Sequence, residues 1–430
     1  MTSKTHVFPP IFLKVQGFRS IDEQVLEIAP ITLLYGESGA GKSSLLYAFM
    51  VLRNLLLNPN QSPSAFFNLG FVNLGDLRSV LHRRNPETTL GISIRVIQDW
   101  EERGNDFVAV FHEQGIFLKE PNSLFLEYAL SESTLPREAP PPFLKTKLET
   151  TLPYPGNSSA LVKMEFKSHE VNLRWNGLVW SLEGASPPEI AGEVPNLLTD
   201  LNAPFEFLRR TAMAPLVRGF TKPYYQPTSF SGLPLREDEV ATALAQNETL
   251  EMKLSLYLEE IAGYQLRVRG QVGTSVFGLW VVDRESRVPH ELVNAGFGLN
   301  QTAYLLALAL YPETETLLVE EPEVHLHPSL VRRLAQSLAR IAKEEGRRFV
   351  FSTHSESLVT AFLSMVAQGQ LDPSDLACYL VEKRKGVTQA KRQKVSKEGQ
   401  VEDGLISFME GELEDLRSLL RIAEESSTGE

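Results

Sequence analysis

Eight residues near the start of the chain leave its fold little freedom. Gly36-Glu37-Ser38-Gly39-Ala40-Gly41-Lys42-Ser43 satisfies the pattern G-x-x-x-x-G-K-[ST]. An apolar stretch, Ile31 to Tyr35, precedes it, and Leu45, Leu46, Phe49, Leu52, Leu55 and Leu56 follow at helical spacing. The glycines let the backbone bend round phosphates, and successive N–H groups point inward at the positive end of the following helix. In that setting Lys42 reaches the β- and γ-phosphates of a nucleotide, Ser43 ligates Mg²⁺, and Ser44 continues the loop into the helix. A chance match in a glycine-rich turn is the competing explanation, and the strand–loop–helix order argues against it.

A phosphate loop needs a second strand that brings a carboxylate to the metal and a base to the attacking water. Glu315-Thr316-Leu317-Leu318-Val319-Glu320-Glu321-Pro322 meets that need. Its apolar residues predict a buried strand, and Glu320 and Glu321 emerge at its C-terminal end, where open α/β sheets bind ligands. Glu320 is expected to hold Mg²⁺ and Glu321 to orient and deprotonate water; exposed acids at a strand end are the bland alternative. Thirty-three residues beyond Glu321, His354 ends a second apolar strand in Phe349-Val350-Phe351-Ser352-Thr353-His354-Ser355. A histidine there can touch the γ-phosphate and report its presence. His325 and His327 have no further ligand cluster beside them and are not read as a metal site.

Around these motifs the chain divides by pattern. From about 290 to 382 helix and buried strand alternate, as in a doubly wound α/β domain. Helices are expected over 300–311 and from Pro328 to a stop at Gly346, and Cys378 falls in a buried strand. Residues 88 to 184 alternate with period two, as in Leu90, Ile92, Ile94 and Val96, and Asn176-Gly177 predicts a type I′ hairpin. Pro136 to Pro142 reads as an exposed linker. Residues 236 to 263 read as helical without a sustained heptad, which argues against a long coiled coil. The stretch from Leu413 to Glu430 reads as an acidic helix grading into a tail.

Composition narrows the function. The net charge of −12 leaves no global field to draw in nucleic acid, so DNA contact would fall to local patches. Arg83-Arg84, Arg209-Arg210 and the run from Lys383 to Lys394 are the candidates, each with a solvated face as its alternative. One cysteine allows no internal disulfide, which fits a reducing cytoplasm. No apolar run reaches the roughly 18 residues that span a bilayer, and the start of the chain lacks a signal-peptide layout. The expected location is cytoplasmic, with no membrane partner.

Taken together, these residues resemble a known family. Leu13-Lys14-Val15-Gln16-Gly17-Phe18-Arg19-Ser20, running into Thr32 to Ser44, is similar to the opening of SMC, RecF and OLD-type ABC ATPases. Val319-Glu320-Glu321-Pro322-Glu323-Val324-His325-Leu326-His327-Pro328 resembles the E-E-P-E-x-x-L-H-P block of stand-alone AAA/OLD-like ATPases, and Ser352-Thr353-His354-Ser355 their [ST]-T-H-S. The resemblance implies that Val293 to Gln301 is a signature segment, in which Asn294, Gly296 and Gly298 cap the γ-phosphate of ATP held by another copy. Ser38 stands where the family has Asn, Glu320 where Asp is commoner, and Asn294 where Ser is typical. Asn73-Leu74-Gly75-Asp76-Leu77 resembles the Q-loop region without a glutamine. Arg19 either approaches the nucleotide or is an ordinary surface arginine.

The expectation is therefore an α/β fold: an ABC-type P-loop head split in sequence, with an inserted β-rich lobe and a short helical arm. Residues 1–85 and 265–385 form the halves of the head, 86–264 the insertion, and 386–430 an extension. Lys42, Glu321 and His354 are the expected catalytic set, with ATP and Mg²⁺ as cofactors. The chain itself is the expected partner, as an ATP-bridged homodimer or higher even oligomer. DNA, or an effector such as a nuclease, is the candidate second partner. Fewer than 50 residues follow Val381, too few for the Toprim nuclease domain of OLD nucleases.

Overall fold

The structure is a computed structural model that describes residues 10–402 except 104–105, 121–122, 134–140 and 234–235. Most of the Pro136–Pro142 linker and the whole Leu413–Glu430 helix and tail lie outside the described residues.

The head is organised on one six-stranded sheet. Its order is Thr211–Ala214, Thr316–Glu320, Arg348–Thr353, Ile31–Tyr35, Leu376–Arg384 and Val387–Gln393. The first five run parallel and the last turns back antiparallel. Every residue of the three strands Ile31–Tyr35, Thr316–Glu320 and Arg348–Thr353 is buried, as strands covered on both faces must be. The period-two rule then sorts their side chains. Leu34, Leu318, Val350 and Tyr379 pack with the Lys42–Leu57 helix and the β-lobe. Leu33, Leu317, Val319, Phe349, Phe351 and Cys378 pack against the helices Phe297–Leu310, Pro328–Glu345 and Glu356–Ala367. Cys378 is fully buried, as its setting implied, and burial pushes its thiol up to about 12.

The β-rich lobe grows out of the head's first strands. Ile11–Phe18 and Ile21–Ile28 open a second six-stranded sheet that continues through Leu90–Arg103, Asp106–Glu120, Ser123–Ser133 and Leu144–Thr151. A small sheet of Ala160–Phe166, His169–Trp175 and Trp180–Leu182 packs with it. The expected hairpin at Asn176-Gly177 exists, but not as a two-residue type I′ turn. That turn needs positive φ at both central residues, and only Gly177 has it, at 88°. The loop runs from Asn176 to Val179, and the Asn176 side chain accepts from the backbone of Leu178 and Val179. An asparagine that bonds forward to its own backbone makes a wider turn than the Asn-Gly pair suggests.

The helical arm is two helices, Glu237–Gln246 and Glu248–Ala262, split at Asn247, whose side chain accepts from Leu250 N at 3.0 Å and starts the second. That break explains why no heptad persists. The helix after the carboxylate strand begins where His327 accepts from Ser329 N and Pro328 fills the first turn; it stops at Gly346, φ 65°. His327 is thus a helix cap.

Candidate nucleotide site

Register assembles the site. Glu320 pairs with Ser352 and Thr353 with Tyr35, so three strands stop abreast at their C-terminal ends. The phosphate loop, Glu321 and His354 are the residues that leave those three ends, at the sheet edge where ligands bind in this architecture. Residues widely separated in sequence come together because parallel neighbours end at one level.

The loop is built tightly. Gly36 has φ 140° and Gly41 φ 107°, a region that L side chains rarely enter. A Cβ at Gly36 would lie 2.2 Å from Val381 O, and one at Gly41 would lie 2.1 Å from Thr388 Oγ1. The antiparallel pair Leu376–Arg384 and Val387–Gln393 therefore braces the loop from outside. Thr388 Oγ1 also donates to Ala40 O at 2.8 Å and bonds the Ser20 hydroxyl at 2.7 Å. Glu37, Ser38 and Gly39 face solvent, while Ser44 is buried. Lys42 donates from Nζ to Gly36 O at 2.7 Å and Glu37 O at 2.8 Å. Burial pushes its ammonium down, opposed by Glu321, Glu323 and Glu37, so Lys42 sits in the field of the carboxylate strand.

At the carboxylate end, Glu320 is 4% exposed. Its Oε1 accepts from Tyr47 OH at 2.9 Å and its Oε2 from Leu216 N at 3.2 Å. Tyr47 OH also bonds the Ser43 side chain, and burial raises its pKa, with Glu320 adding to the shift. Ser43 and Glu320 oxygens thus lie within reach of one atom. A hydroxyl and a carboxylate that share Tyr47 OH as a partner are hard oxygen donors of the kind that would suit Mg²⁺. Among the described residues no group of three or more His, Cys, Asp or Glu could hold a metal.

Glu321 and His354 touch directly, with Nδ1 to Oε1 at 2.9 Å and both side chains partly open to solvent. Behind them Thr353 Oγ1 donates to Glu323 Oε1, and burial pushes the Glu323 carboxyl up. A polar surface of one hydrogen-bonded acid–imidazole pair beside a lysine-lined glycine loop can bind a triphosphate and hold a water against it.

The segment expected to act as a signature leads into the Phe297–Leu310 helix. Asn294 Nδ2 donates to Glu291 Oε2 at 2.7 Å, and the helix Phe297–Leu310 starts at Gly296. Gly298 packs against the residues after Glu321, since a Cβ there would lie 2.5 Å from His325 O. Nothing stands within 4 Å of a Cβ at Gly296, and Phe297 is 77% exposed. Among the described residues no hydrogen bond joins this segment to residues 36–44. Arg19 places its guanidinium 5.9 Å from the Tyr47 ring centroid, beside the Ser43–Glu320 group.

Sequence reasoning missed two groups. Tyr47 lies within a helix that otherwise reads as apolar. Arg218 sits in a stretch without periodicity, yet the parallel pairing of Thr211–Ala214 with the carboxylate strand carries it to the site. It donates to Glu320 O at 2.7 Å and Glu321 O at 3.0 Å. The only signal for it is an arginine just after a short run, Thr211 to Ala214, that could pair as a strand.

A family model described as AAA domain, putative AbiEii toxin, type IV TA system matches residues 31–360. A search of curated proteins found no match. Among solved structures the chain is similar to the SMC head domain from Thermotoga maritima, at 10% identity and TM-score 0.39, covering 90% of this chain and 99% of that one. It is similar too to an Smc head bound to the C-winged helix domain of ScpA, at 12% identity and TM-score 0.46, covering 89% and 97%. A third is an Smc head with an extended coiled coil bound to the C-terminal domain of ScpA derived from Pyrococcus furiosus, at 11% identity and TM-score 0.45, covering 97% and 98%. Likenesses this loose add nothing to what the strand order already gives.

Proposed function

The chain belongs to the AAA-domain family described as putative AbiEii toxin, type IV TA system, and on that premise we propose that it hydrolyses Mg²⁺-ATP at a site shared by two copies of its head. Nucleotide binding and hydrolysis is the activity of this class. Assignment to the stand-alone OLD-like heads rests on the E-E-P-E and S-T-H-S blocks. The observation that carries the catalytic reading is the 2.9 Å contact between Glu321 and His354, one strand away from the phosphate loop.

Each residue has a stated task. Lys42 exchanges its loop carbonyls for the β- and γ-phosphates, and the N–H groups of residues 36–44 cradle them. Ser43 and Glu320 would hold Mg²⁺, which would neutralise phosphate charge when bound. Glu321 takes the proton of the attacking water, and His354 keeps the Glu321 carboxylate aimed and contacts the γ-phosphate. Asn294, Gly296 and Gly298 serve the other copy's phosphates. The open ground at Gly296 and the exposed Phe297 support a role facing a second molecule, as does Val217, 87% exposed next to the Leu216–Glu320 contact. Glu321→Gln is expected to lower kcat about 10²- to 10⁴-fold while ATP still binds. Unchanged turnover would remove Glu321 from the mechanism.

The closing and opening of heads must act on something. DNA in genome maintenance or anti-phage defence is the first reading, tested by DNA-stimulated turnover that weakens steeply with salt. The family's link to a putative type IV toxin–antitoxin system favours a second, in which nucleotide state gates a separate effector such as a nuclease. Turnover indifferent to DNA, together with ATP-dependent retention of such an effector, would decide for the second.

A further inference from the structure

Glu321 has φ 42°, a left-handed conformation that a glutamate holds only where its surroundings impose it. Four hydrogen bonds hold the two peptide planes that meet there, one of them from Val324 N to Glu321 O at 3.2 Å. Glu321 N donates to Ser352 O at 2.8 Å. The carbonyl before it, Glu320 O, accepts from Arg218 Nη1 at 2.7 Å, and its own carbonyl accepts from Arg218 Nη2 at 3.0 Å. Residue 322 is proline and has no N–H, so the Glu321 carbonyl is the only polar handle on the peptide that follows. One guanidinium therefore grips both peptide planes that meet at the Glu321 Cα. Arg218 is itself anchored, since Nη1 also donates to Pro215 O at 2.9 Å, and its Nε is closed to solvent without a partner. It lies in the field of Glu323, Glu320 and Glu321 together.

We propose that Arg218 is a positioning residue: its planar fork fixes the left-handed turn at Glu321 and so aims the Glu321 carboxylate at the attacking water. The inference rests on the reading of Glu321 as the base. Arg218 lies behind the backbone of residues 320 and 321 and reaches their carbonyls, so it acts through Glu321 without touching the nucleotide. A lysine keeps the charge but offers a point donor in place of a rigid fork, and cannot hold two carbonyls in one fixed geometry.

The test is a set of ATPase measurements on the full chain: wild type, Glu321→Gln, Arg218→Met, Arg218→Lys, and Glu321→Gln combined with Arg218→Met. Misaiming a general base by about 1 Å costs on the order of 10²-fold. Arg218→Met is expected to lose about that much in kcat with an unchanged Kd for ATP, and Arg218→Lys to lose nearly as much. In the Glu321→Gln background, Arg218→Met is expected to lower the residual rate no further, because the group it aims is already gone. Arg218→Met or Arg218→Lys within twofold of wild-type kcat would overturn the proposal, as would an additive loss in the double variant. If Arg218→Met does not fold, the lysine variant alone decides. A wild type whose turnover ignores Glu321→Gln would instead sink the reading of the base, and the two failures are told apart by that one variant.

Discussion

Lys42 holds two loop carbonyls, and on the proposed reading it exchanges them for phosphate oxygens, so its free and bound states differ by the partners of a single ammonium. Charge-assisted bonds of this kind contribute about 1.5–3 kcal/mol each. Lys42→Ala is therefore expected to weaken ATP binding by at least about tenfold, measured by titration with a fluorescent ATP analogue, with the melting temperature little changed. Affinity equal to wild type would show that the loop binds without it. At this scale the sequence exposes polar side chains at the ends of apolar strands, which is why it singles out Lys42, Glu321 and His354, and the strand register places them at one sheet end. Arg218 acts on backbone carbonyls and Tyr47 through a hydroxyl on a helix that otherwise reads as core. Tyr47 leaves no pattern in the order of residues and Arg218 only its place after a short strand-like run, because the groups they meet belong to other segments.

Among the elements, the β-lobe carries a test of its own. His112 is buried in the second sheet with Nδ1 2.5 Å from Tyr128 OH, packed near Trp175 and Trp180 through the Tyr128 ring. Burial pushes its imidazole down from 6.5 to about 4. Between those values the unfolded chain takes up a proton that the folded chain refuses, so stability is present above pH 6.5 and falls as pH drops toward 4. The full effect is about 3 kcal/mol. His112→Gln should flatten that part of the melting-temperature profile; an equally steep acid slope in the variant would assign the loss to other groups. Periodicity located the strands and helices well because burial on one or both faces writes directly into residue order. Turn geometry did not follow, as the four-residue loop at Asn176 shows, since a side chain that bonds its own backbone can replace the backbone pattern. The joining of Thr211–Ala214 to the head sheet was equally hidden, because a four-residue strand is too short for a period.

For the molecule as a whole, charge and surface decide what it meets. The basic run from Lys383 to Lys394 is partly neutralised, with Arg384 on Glu382 at 2.7 Å and Arg392 on Glu27. Together with the net charge of −12 this leaves little attraction for DNA outside specific patches. Among the described residues no helix is long and apolar enough to cross a membrane. The split head was legible because its two halves carry the motifs, whereas the continuous sheet shared by the first strands and the lobe emerges only from pairing. The shared-site account makes one demand that a single copy cannot meet, that Asn294, Gly296 and Gly298 complete a phosphate site elsewhere. Light scattering of Glu321→Gln with and without ATP tests it most directly. A shared site gives a dimer, or a higher even assembly, that forms with ATP and persists; a particle that stays monomeric at every ATP concentration would rule the shared site out.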